Sequence, residues 1–414
     1  RRQRQMCIRD SRRGAASRIL GRRRVSRTVS MRLVALWSAF GLVHLFTAVA
    51  GWLYPSQPMG DVVLVYEPWS SAALSGGAIV GVTETWVYPQ LALVPMLLAK
   101  ILSTPLIAVM GASGAYLIAW AVLVTVLDAI AFAVLVGRSP SQPRRMAAWF
   151  WITALLLLGP IAMYRIDAIT VPLAVIGGLW LVSRPAAAAA LLAIGAWIKI
   201  WPGALLVAAV VAARSRMRVL LTAAAVSAVV VVVLVAFGAD AEIFGFLTEQ
   251  TGRGLQIEAV AATPFLWLAI AGAARIEYSF DILTFQISAQ GADAVSAVLT
   301  PLMAVFVVVI TVIGALKASR GASFARLFPP LALSLVTTLI VANKVGSPQF
   351  QTWLIAPAVL WLVLDRTRAA APALLVLALC ALTCLIYPLS YDALLRAETL
   401  PVAILTLRLS LIHI

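Results

Sequence analysis

A carboxylate and several aromatic side chains are grouped early in the chain, where together they could act on a hydroxyl group and hold a sugar ring. Asp61 is followed by Tyr66 and Glu67, and Trp86 and Tyr88 come a short distance later. A carboxylate can remove the proton of an attacking hydroxyl. The alternative is an aromatic belt with solvated acids at a membrane interface. Either interpretation places these residues where membrane meets water.

Two cations in otherwise apolar surroundings, Arg165 and Lys199, are candidates for binding an anion. Arg165 and Asp167 lie in one very short turn, so they either pair with each other or leave the arginine to face an anion. Lys199 interrupts a long apolar stretch. An ionisable residue inside a membrane segment is expensive and is a functional hypothesis by default. We therefore expect Lys199 to lie near a phosphate group.

Two later clusters combine a cation with hydrogen-bonding side chains. Arg253 lies between glycines that allow close approach of a ligand, and arginine suits bidentate phosphate recognition. Gln256 and Glu258 follow it, and an amphipathic interface helix is the alternative for this segment. The second cluster lies in 343–349, where a loop with a helix cap is the alternative. It contains Lys344, Ser347 and Gln349.

The composition shows which elements must position these groups. Of the 414 residues, 63% are hydrophobic and 12% are charged, against about 45–50% and about 25% in an ordinary soluble protein. So little charge cannot cover a water-facing surface, which excludes a soluble enzyme and a disordered chain. It also excludes a nucleic-acid-binding protein despite the net charge of +16. We predict an all-α polytopic membrane protein.

Nine apolar segments are predicted to cross the membrane, and a tenth begins near Leu400. A span needs about 20 mostly apolar residues. Residues 88–105 are interpreted as a helix in the outer interface, and 186–213 as a hairpin, with one kinked span as the alternative. The nine segments are 33–53, 115–136, 147–163, 168–183, 219–237, 295–316, 327–342, 350–364 and 371–388.

The charges predict the orientation of these spans. With the arginine-rich start in the cytoplasm, the inner loops hold 20 Lys/Arg and one acid, whereas the outer segments hold 6 Lys/Arg and 13 Asp/Glu. The excess of Lys/Arg in the inner loops follows the positive-inside rule, whereas acids contribute little to orientation. We predict a multi-pass protein of the plasma membrane with its N-terminus in the cytoplasm. The two long outer loops are 54–114 and 238–294. Loops of this length usually have a function of their own. The polar clusters therefore all face the extracytoplasmic side.

The domain organisation is a basic start, residues 1–32, and one transmembrane domain, residues 33–408. The terminal stretches 1–11 and 409–414 match a translated mosaic-end adapter of sequencing libraries, so we expect both to be adapter-derived and the native C-terminus to be missing. Within the spans, Asp128 is expected to pair with a Lys or Arg of another helix. Two thiols are expected to be core or lipid-facing, namely Cys380 and Cys384.

Four stretches together resemble the GT-C glycosyltransferases. The resemblance is closest to the actinobacterial polyprenol-phosphate-mannose-dependent mannosyltransferases of glycosyltransferase family 87, which act on the cell envelope. It implies a GT-C-like bundle of about 10–12 membrane helices with long extracytoplasmic loops. The stretches are Asp61 to Trp69 with Trp86 to Pro89, Ile198 to Pro202, Arg253 to Glu258, and Lys344 to Phe350 with Trp353 and Leu354.

The resemblance implies that a sugar, mannose in this family, moves from a polyprenyl-phosphate donor to a lipid- or glycan-linked acceptor with inversion. Asp61 matches the general base, with Glu67 and Glu84 as alternatives. Neither a nucleotide nor an obligatory metal is implied, and no nucleic acid is a partner. The alternative is a transporter or flippase of lipid-linked sugars, which should line a path through both leaflets, often with internal repeats.

The clusters together predict a substrate site on the outer face. Some of the cations Arg165, Lys199, Arg253 and Lys344 are expected to stabilise the leaving phosphate, an electrostatic effect that is usually the largest in catalysis. The full set of predicted substrate-binding residues is Tyr66, Glu67, Trp86, Tyr88, Arg165, Asp167, Lys199, Arg253, Gln256, Glu258, Lys344, Ser347 and Gln349.

Overall fold

The computed structural model describes residues 31–279 and 284–413, except for the side chains of Gln250 and Thr251. Nearly all of the basic start and the adapter-like stretch 1–11 lie outside the described residues. Within the described ranges the chain is mostly helical and contains one two-stranded sheet. This confirms the all-α polytopic membrane class.

The helices follow one another with short connections. A π-helical turn, Val62–Tyr66, precedes α2, and a 3₁₀ turn, Pro348–Leu354, precedes α14. The helices are α1 Met31–Leu53, α2 Glu67–Leu74, α3 Leu93–Ser103, α4 Ile107–Val136, α5 Gln142–Leu158, α6 Asp167–Trp180, α7 Pro185–Ile198, α8 Pro202–Ala212, α9 Arg216–Ala236, α10 Gly245–Thr251, α11 Thr263–Ile270, α12 Ala292–Ser319, α13 Phe324–Val341, α14 Ile355–Leu364, α15 Arg366–Ile386, α16 Tyr391–Leu395 and α17 Thr399–Leu411.

Seven helical runs in the described ranges are long and apolar enough to cross a membrane, by length and composition. They contain α1, α4, α5, α9, α12, α13 and α15, and each overlaps one of seven predicted spans. The segments 168–183 and 350–364 and the one near Leu400 instead form apolar helices of at most 17 residues, which is shorter than the roughly 20 that a span needs. The long helices are therefore fewer than the ten to twelve expected.

The helix within 88–105 does not continue straight into the next span. The hydroxyl of Tyr116 in α4 donates to the carbonyl of Met96 in α3 at 3.1 Å, so α3 folds back along α4. A 3₁₀ turn, Thr104–Leu106, separates the two helices. Helix α4 is then interrupted just after its first turn, at Gly111, whose φ of 70° and ψ of 168° are non-helical. Glycine reaches such positive φ values at little steric cost.

The segment 186–213 is a pair of helices joined by a tight turn at Lys199. Helix α7 ends there because Lys199 has extended backbone angles, φ −151° and ψ 134°, and Pro202 begins α8. A Cβ built on Gly195 would lie 3.2 Å from the Pro202 side chain. In one continuous helix these two positions would be about 10 Å apart along the axis. The hairpin interpretation therefore fits, and the single kinked span does not.

The largest core lies where α5, α6, α13, α14 and α15 pack together. Helices α6 and α14 approach so closely at Gly178 that a methyl group there would overlap Leu360. A second buried contact joins α1 to α4, where His44 Nε2 lies 3.1 Å from Asp128 Oδ2. Asp128 thus has a partner on another helix, but that partner is histidine rather than the expected Lys or Arg. Both thiols of α15, Cys380 and Cys384, are free and buried.

A β-hairpin in the second outer loop was not predicted. Strand β1, Arg275–Ser279, pairs antiparallel with β2, Thr284–Ser288. Ile287 packs into a small core together with Leu255 and Leu266. Apolar and polar residues alternate along both strands, which is the period-two pattern of a half-buried strand. In a chain this apolar, so short an alternation is hard to distinguish from the surrounding helices.

Candidate functional site

The predicted base and the first predicted cation form an ion pair. Arg165 Nη1 lies 3.4 Å from Asp61 Oδ1, and the side chains are 6% and 37% exposed. Asp61 immediately precedes the π-helical turn that follows α1, and Arg165 lies in the turn before α6. The two turns meet because α1 packs closely on Tyr164, whose ring a methyl group at Gly51 would overlap. The carboxylate therefore keeps access to solvent while its cationic partner is enclosed.

The remaining hydrogen bonds of Arg165 all go to protein groups. Nη1 donates to the carbonyls of Pro58 at 3.0 Å and Tyr164 at 3.2 Å, and Nη2 donates to the hydroxyl of Tyr387 at 3.0 Å. Burial would lower the pKa of Arg165, but the Asp61 carboxylate and the neighbouring tyrosines outweigh it, so that pKa is raised. Arg165 is a permanent buried cation that ties its neighbours together.

Asp167 does not pair with Arg165 in their shared turn. Its side chain is fully buried, and the indole nitrogen of Trp353 donates to its Oδ1. Among the described atoms, its Oδ2 has no hydrogen-bond partner. Trp353 in turn stacks on Trp201, with ring centroids 6.2 Å apart. The self-pairing alternative for this turn is therefore wrong, and Asp167 places a buried carboxyl group beside Trp353.

Lys199, at the tip of the α7–α8 hairpin, connects the separate clusters. Its Nζ lies 4.3 Å from the centre of the Tyr88 ring, within cation–π range. Its charge also interacts with those of Asp167, Arg253, Asp61 and Arg165. The predicted clusters that contain Asp61, Arg165 with Asp167, and Arg253 therefore all lie near Lys199.

The aromatic side chains of the first outer loop form one packed group. Trp86 lies edge-on to Tyr88 at 5.5 Å, and Tyr66 lies edge-on to Tyr88 at 6.5 Å. The Tyr66 hydroxyl accepts from the backbone N–H of Ile166 at 3.2 Å. Tyr66 and Trp86 are both buried, whereas belt aromatics face the headgroup layer. Burial, reinforced by the charges of Asp61 and Asp167, raises the pKa of Tyr88.

The Arg253 segment is extended rather than helical. Helix α10 ends at Thr251, and Leu255 and Ile257 form backbone hydrogen bonds with β2 at 2.9 and 3.3 Å. The amphipathic-helix alternative is therefore wrong. Burial lowers the pKa of the half-buried Arg253, and the phenol of Tyr88 opposes that effect.

The 343–349 loop lies directly on this extended segment. The Gln256 N–H donates to the carbonyl of Lys344 at 3.0 Å, and a methyl group at Gly346 would overlap the backbone of Glu258. Burial also lowers the pKa of Lys344. Asn343 accepts from the N–H of Val345 in a turn within the loop, whereas Ser347, which precedes the 3₁₀ turn, forms no side-chain capping hydrogen bond. Gln349 is buried and Ser347 is half-buried.

The other predicted carboxylates have partners or lie in the open. Glu258 forms a buried ion pair with Arg408 of α17 at 2.8 Å. Glu67 is paired with Lys100 of α3 and accepts from Ser71. Glu84 is exposed. Of the candidate bases, Asp61 is the one that lies within the cluster around Lys199.

The sequence did not indicate Tyr387 and Arg408 as neighbours of the site, because one follows an apolar helix and the other lies inside one, where its type carries no distinguishing pattern. Trp201 and Trp353 belong to the motif stretches but were not among the predicted site residues. In the described part of the chain, no three His, Cys, Asp or Glu side chains are grouped as metal ligands. The side chains that converge are cations, one accessible carboxylate and aromatic rings, a set suited to a phosphate and a hydroxyl group.

The comparisons with known proteins return no relative. No family model matches the chain, and neither a curated protein nor a solved structure matches it. A function is therefore best argued from the geometry and charge of the site itself.

Proposed function

We propose that this protein is a membrane glycosyltransferase that moves a sugar from a polyprenyl-phosphate donor to a lipid- or glycan-linked acceptor. One observation carries the proposal. Asp61 pairs with Arg165 at 3.4 Å, and Lys199 lies on the ring of Tyr88, where the charges of Asp61, Arg165, Asp167 and Arg253 act on it although these residues belong to segments far apart in the sequence. A convergence of accessible carboxylate and enclosed cations suits a hydroxyl nucleophile and a phosphate leaving group.

Asp61 is the proposed general base. It would take the proton from an acceptor hydroxyl as that oxygen attacks the anomeric carbon of the donor. A new carbon–oxygen bond forms as the bond between the anomeric carbon and the phosphate oxygen breaks, and the configuration inverts. Its 37% exposure supports this role, because a base must come within hydrogen-bond reach of the hydroxyl.

Lys199 and Arg253 are the proposed partners of the leaving polyprenyl phosphate. Both are half-buried, so their charges are screened less than those of exposed residues. Arg165 is the weaker candidate for direct phosphate contact, since its guanidinium already bonds to four protein groups. Its proposed role is to hold Asp61. Charge stabilisation of this kind is usually the largest single contribution to catalysis.

The proposed substrate and location follow from the motif resemblance and from the charges of the loops. Mannose and a plasma-membrane enzyme of the actinobacterial envelope are implied by the motif resemblance. An extracytoplasmic site is supported by the excess of Lys/Arg in the opposite loops.

The proposal is tested by following a radiolabelled sugar. Purified protein in liposomes is given polyprenyl-phosphate-[¹⁴C]mannose and envelope lipids and glycans as acceptors, with GDP-mannose as the control donor. We expect label in the acceptor fraction from the lipid donor alone. Movement of the donor across the bilayer without covalent transfer would instead favour a flippase of lipid-linked sugars.

A further inference from the structure

Tyr387, at the end of α15, lies against the turn that leads to Asp61. Its hydroxyl accepts from Arg165 Nη2 at 3.0 Å and lies 3.3 Å from the carbonyl of Ser56 and 3.4 Å from that of Gln57. The Arg165 guanidinium also packs on the Tyr387 ring, 5.6 Å from its centroid. One side chain of the last long helix thus holds both Arg165 and the chain just before the candidate base.

The turn that Tyr387 contacts is conformationally unfavourable. Ser56 and Gln57 have φ values of 57° and 46°, and non-glycine residues rarely adopt positive φ. Two successive residues of this kind persist only where the surroundings hold them. Asn-Gly is the pair that adopts such angles most readily. The turn therefore depends on its contacts for its shape.

These contacts continue to Asp61 itself. Arg165 bonds to the carbonyl of Pro58 on one side and to Asp61 on the other through the same Nη1. The Gly60 N–H closes the next turn on the Gln57 carbonyl at 2.8 Å. Two short routes, the guanidinium and the backbone, thus connect the Tyr387 hydroxyl to Asp61.

We propose that Tyr387 is a positioning residue, whose hydroxyl holds Arg165 and the strained 56–57 turn so that the Asp61 carboxylate keeps its place. The catalytic consequence rests on the glycosyltransferase function proposed above, whereas the structural clamp does not. Without the hydroxyl, the 56–57 turn relaxes and Asp61 moves away from Arg165. A displacement of about 1 Å can cost about 100-fold in rate.

The test compares four chains in detergent: the unaltered protein, Tyr387→Phe, Tyr391→Phe and the triple variant Ser56→Asn/Gln57→Gly/Tyr387→Phe. Tyr391 is the matched control because its ring packs edge-on against Tyr387 at 4.9 Å. Amide hydrogen exchange over residues 54–62 reports the turn without any substrate. Label transfer gives kcat and the donor KM, and thermal unfolding monitors the fold.

Tyr387→Phe is expected to speed exchange over 54–62 at least tenfold and to lower kcat at least tenfold, with the donor KM within threefold. The Asn-Gly turn of the triple variant should restore most of the slow exchange and most of kcat, because it keeps its shape without the Tyr387 hydroxyl. Tyr391→Phe should change neither the exchange nor kcat. Unchanged exchange in Tyr387→Phe overturns the proposal, as does a loss that the Asn-Gly turn does not repair. If exchange responds as expected but the unaltered protein transfers no sugar, the clamp stands and the proposed function fails.

Discussion

The guanidinium of Arg165 lies 3.4 Å from the carboxylate of Asp61, although the two residues belong to different outer segments. The pair fixes the candidate base relative to α6, whose first residue, Asp167, interacts electrostatically with Lys199. Asp61, the buried Arg165 and then Asp167 thus follow one another toward Lys199 at the tip of the α7–α8 hairpin.

The charges of Lys199 and Asp167 are expected to stabilise each other. Lys199→Met should lower the thermal unfolding temperature, because it leaves the Asp167 carboxylate buried without its main cation. Asp167→Asn added to Lys199→Met should recover part of that loss, since the charge is removed while the amide oxygen still accepts from Trp353. The coupling expected from such a double-mutant cycle is about 0.5–3 kcal/mol, measured by thermal unfolding in detergent. Strictly additive losses would show that the two charges do not interact.

The buried pair Glu258–Arg408 makes stability depend on pH. Burial raises the pKa of Glu258 in the folded chain, and the charge of Arg408 opposes that rise. Because the folded chain binds this proton more tightly than the unfolded chain, the contribution of Glu258 to stability is greatest at low pH and falls as pH rises through the folded pKa.

Arg408→Met should therefore be most harmful at high pH. At pH 8 it leaves an uncompensated buried carboxylate, with an expected cost of about 3–5 kcal/mol. At pH 5 Glu258 can take up a proton, so the loss should shrink. Unfolding temperatures at the two pH values measure this, with Glu258→Gln/Arg408→Met as the control that should lose the pH dependence. An equal loss at both pH values would contradict the assignment.

Gly346 is expected to be irreplaceable for steric reasons. Gly346→Ala would force the Cβ into the backbone of Glu258 and Ala259, whereas a Cβ at Gly252 meets nothing within 4 Å. Gly254→Ala is intermediate, because its clash is with the flexible end of Gln286. We expect destabilisation in the order Gly346, Gly254, Gly252, with a loss of label transfer in Gly346→Ala as the Lys344 loop moves. An unaffected Gly346→Ala chain would show that the loop does not depend on this close approach.

Much of the fold could be predicted from the apolar pattern, because long apolar runs have few other solutions. The seven long helices, the break at Lys199 and the interruption between 88–105 and the next span all follow from it. The predicted segments 168–183 and 350–364 and the one near Leu400 form apolar helices of at most 17 residues, so length and composition alone do not mark them as spans. The Arg275–Ser288 hairpin escaped because five-residue strands leave too short an alternation in so apolar a chain.

The residue types of the site were readable from the sequence, but their pairings were not. Lys199 and Arg165 stood out because charges are rare in such surroundings. That Arg165 pairs with Asp61 rather than Asp167, and that Asp167 bonds to Trp353, depends on packing between distant helices. Tyr387 gave no signal at all, since one tyrosine at a helix end is ordinary.

The central claim is that Asp61 is the base of a sugar transfer, and Asp61→Asn tests it most directly. The substitution removes the carboxylate that would accept the proton while keeping the shape of the side chain. Glu84→Gln is the matched control, at an exposed carboxylate of the same loop. Transfer of ¹⁴C-sugar from polyprenyl phosphate is measured in liposomes for both variants. The predicted result is a fall in kcat of about 10²–10⁴-fold in Asp61→Asn, with a cooperative unfolding transition retained at a lower temperature because buried Arg165 loses its ion-pair partner, and an unaffected Glu84→Gln. Transfer by Asp61→Asn at the unaltered rate would contradict the account.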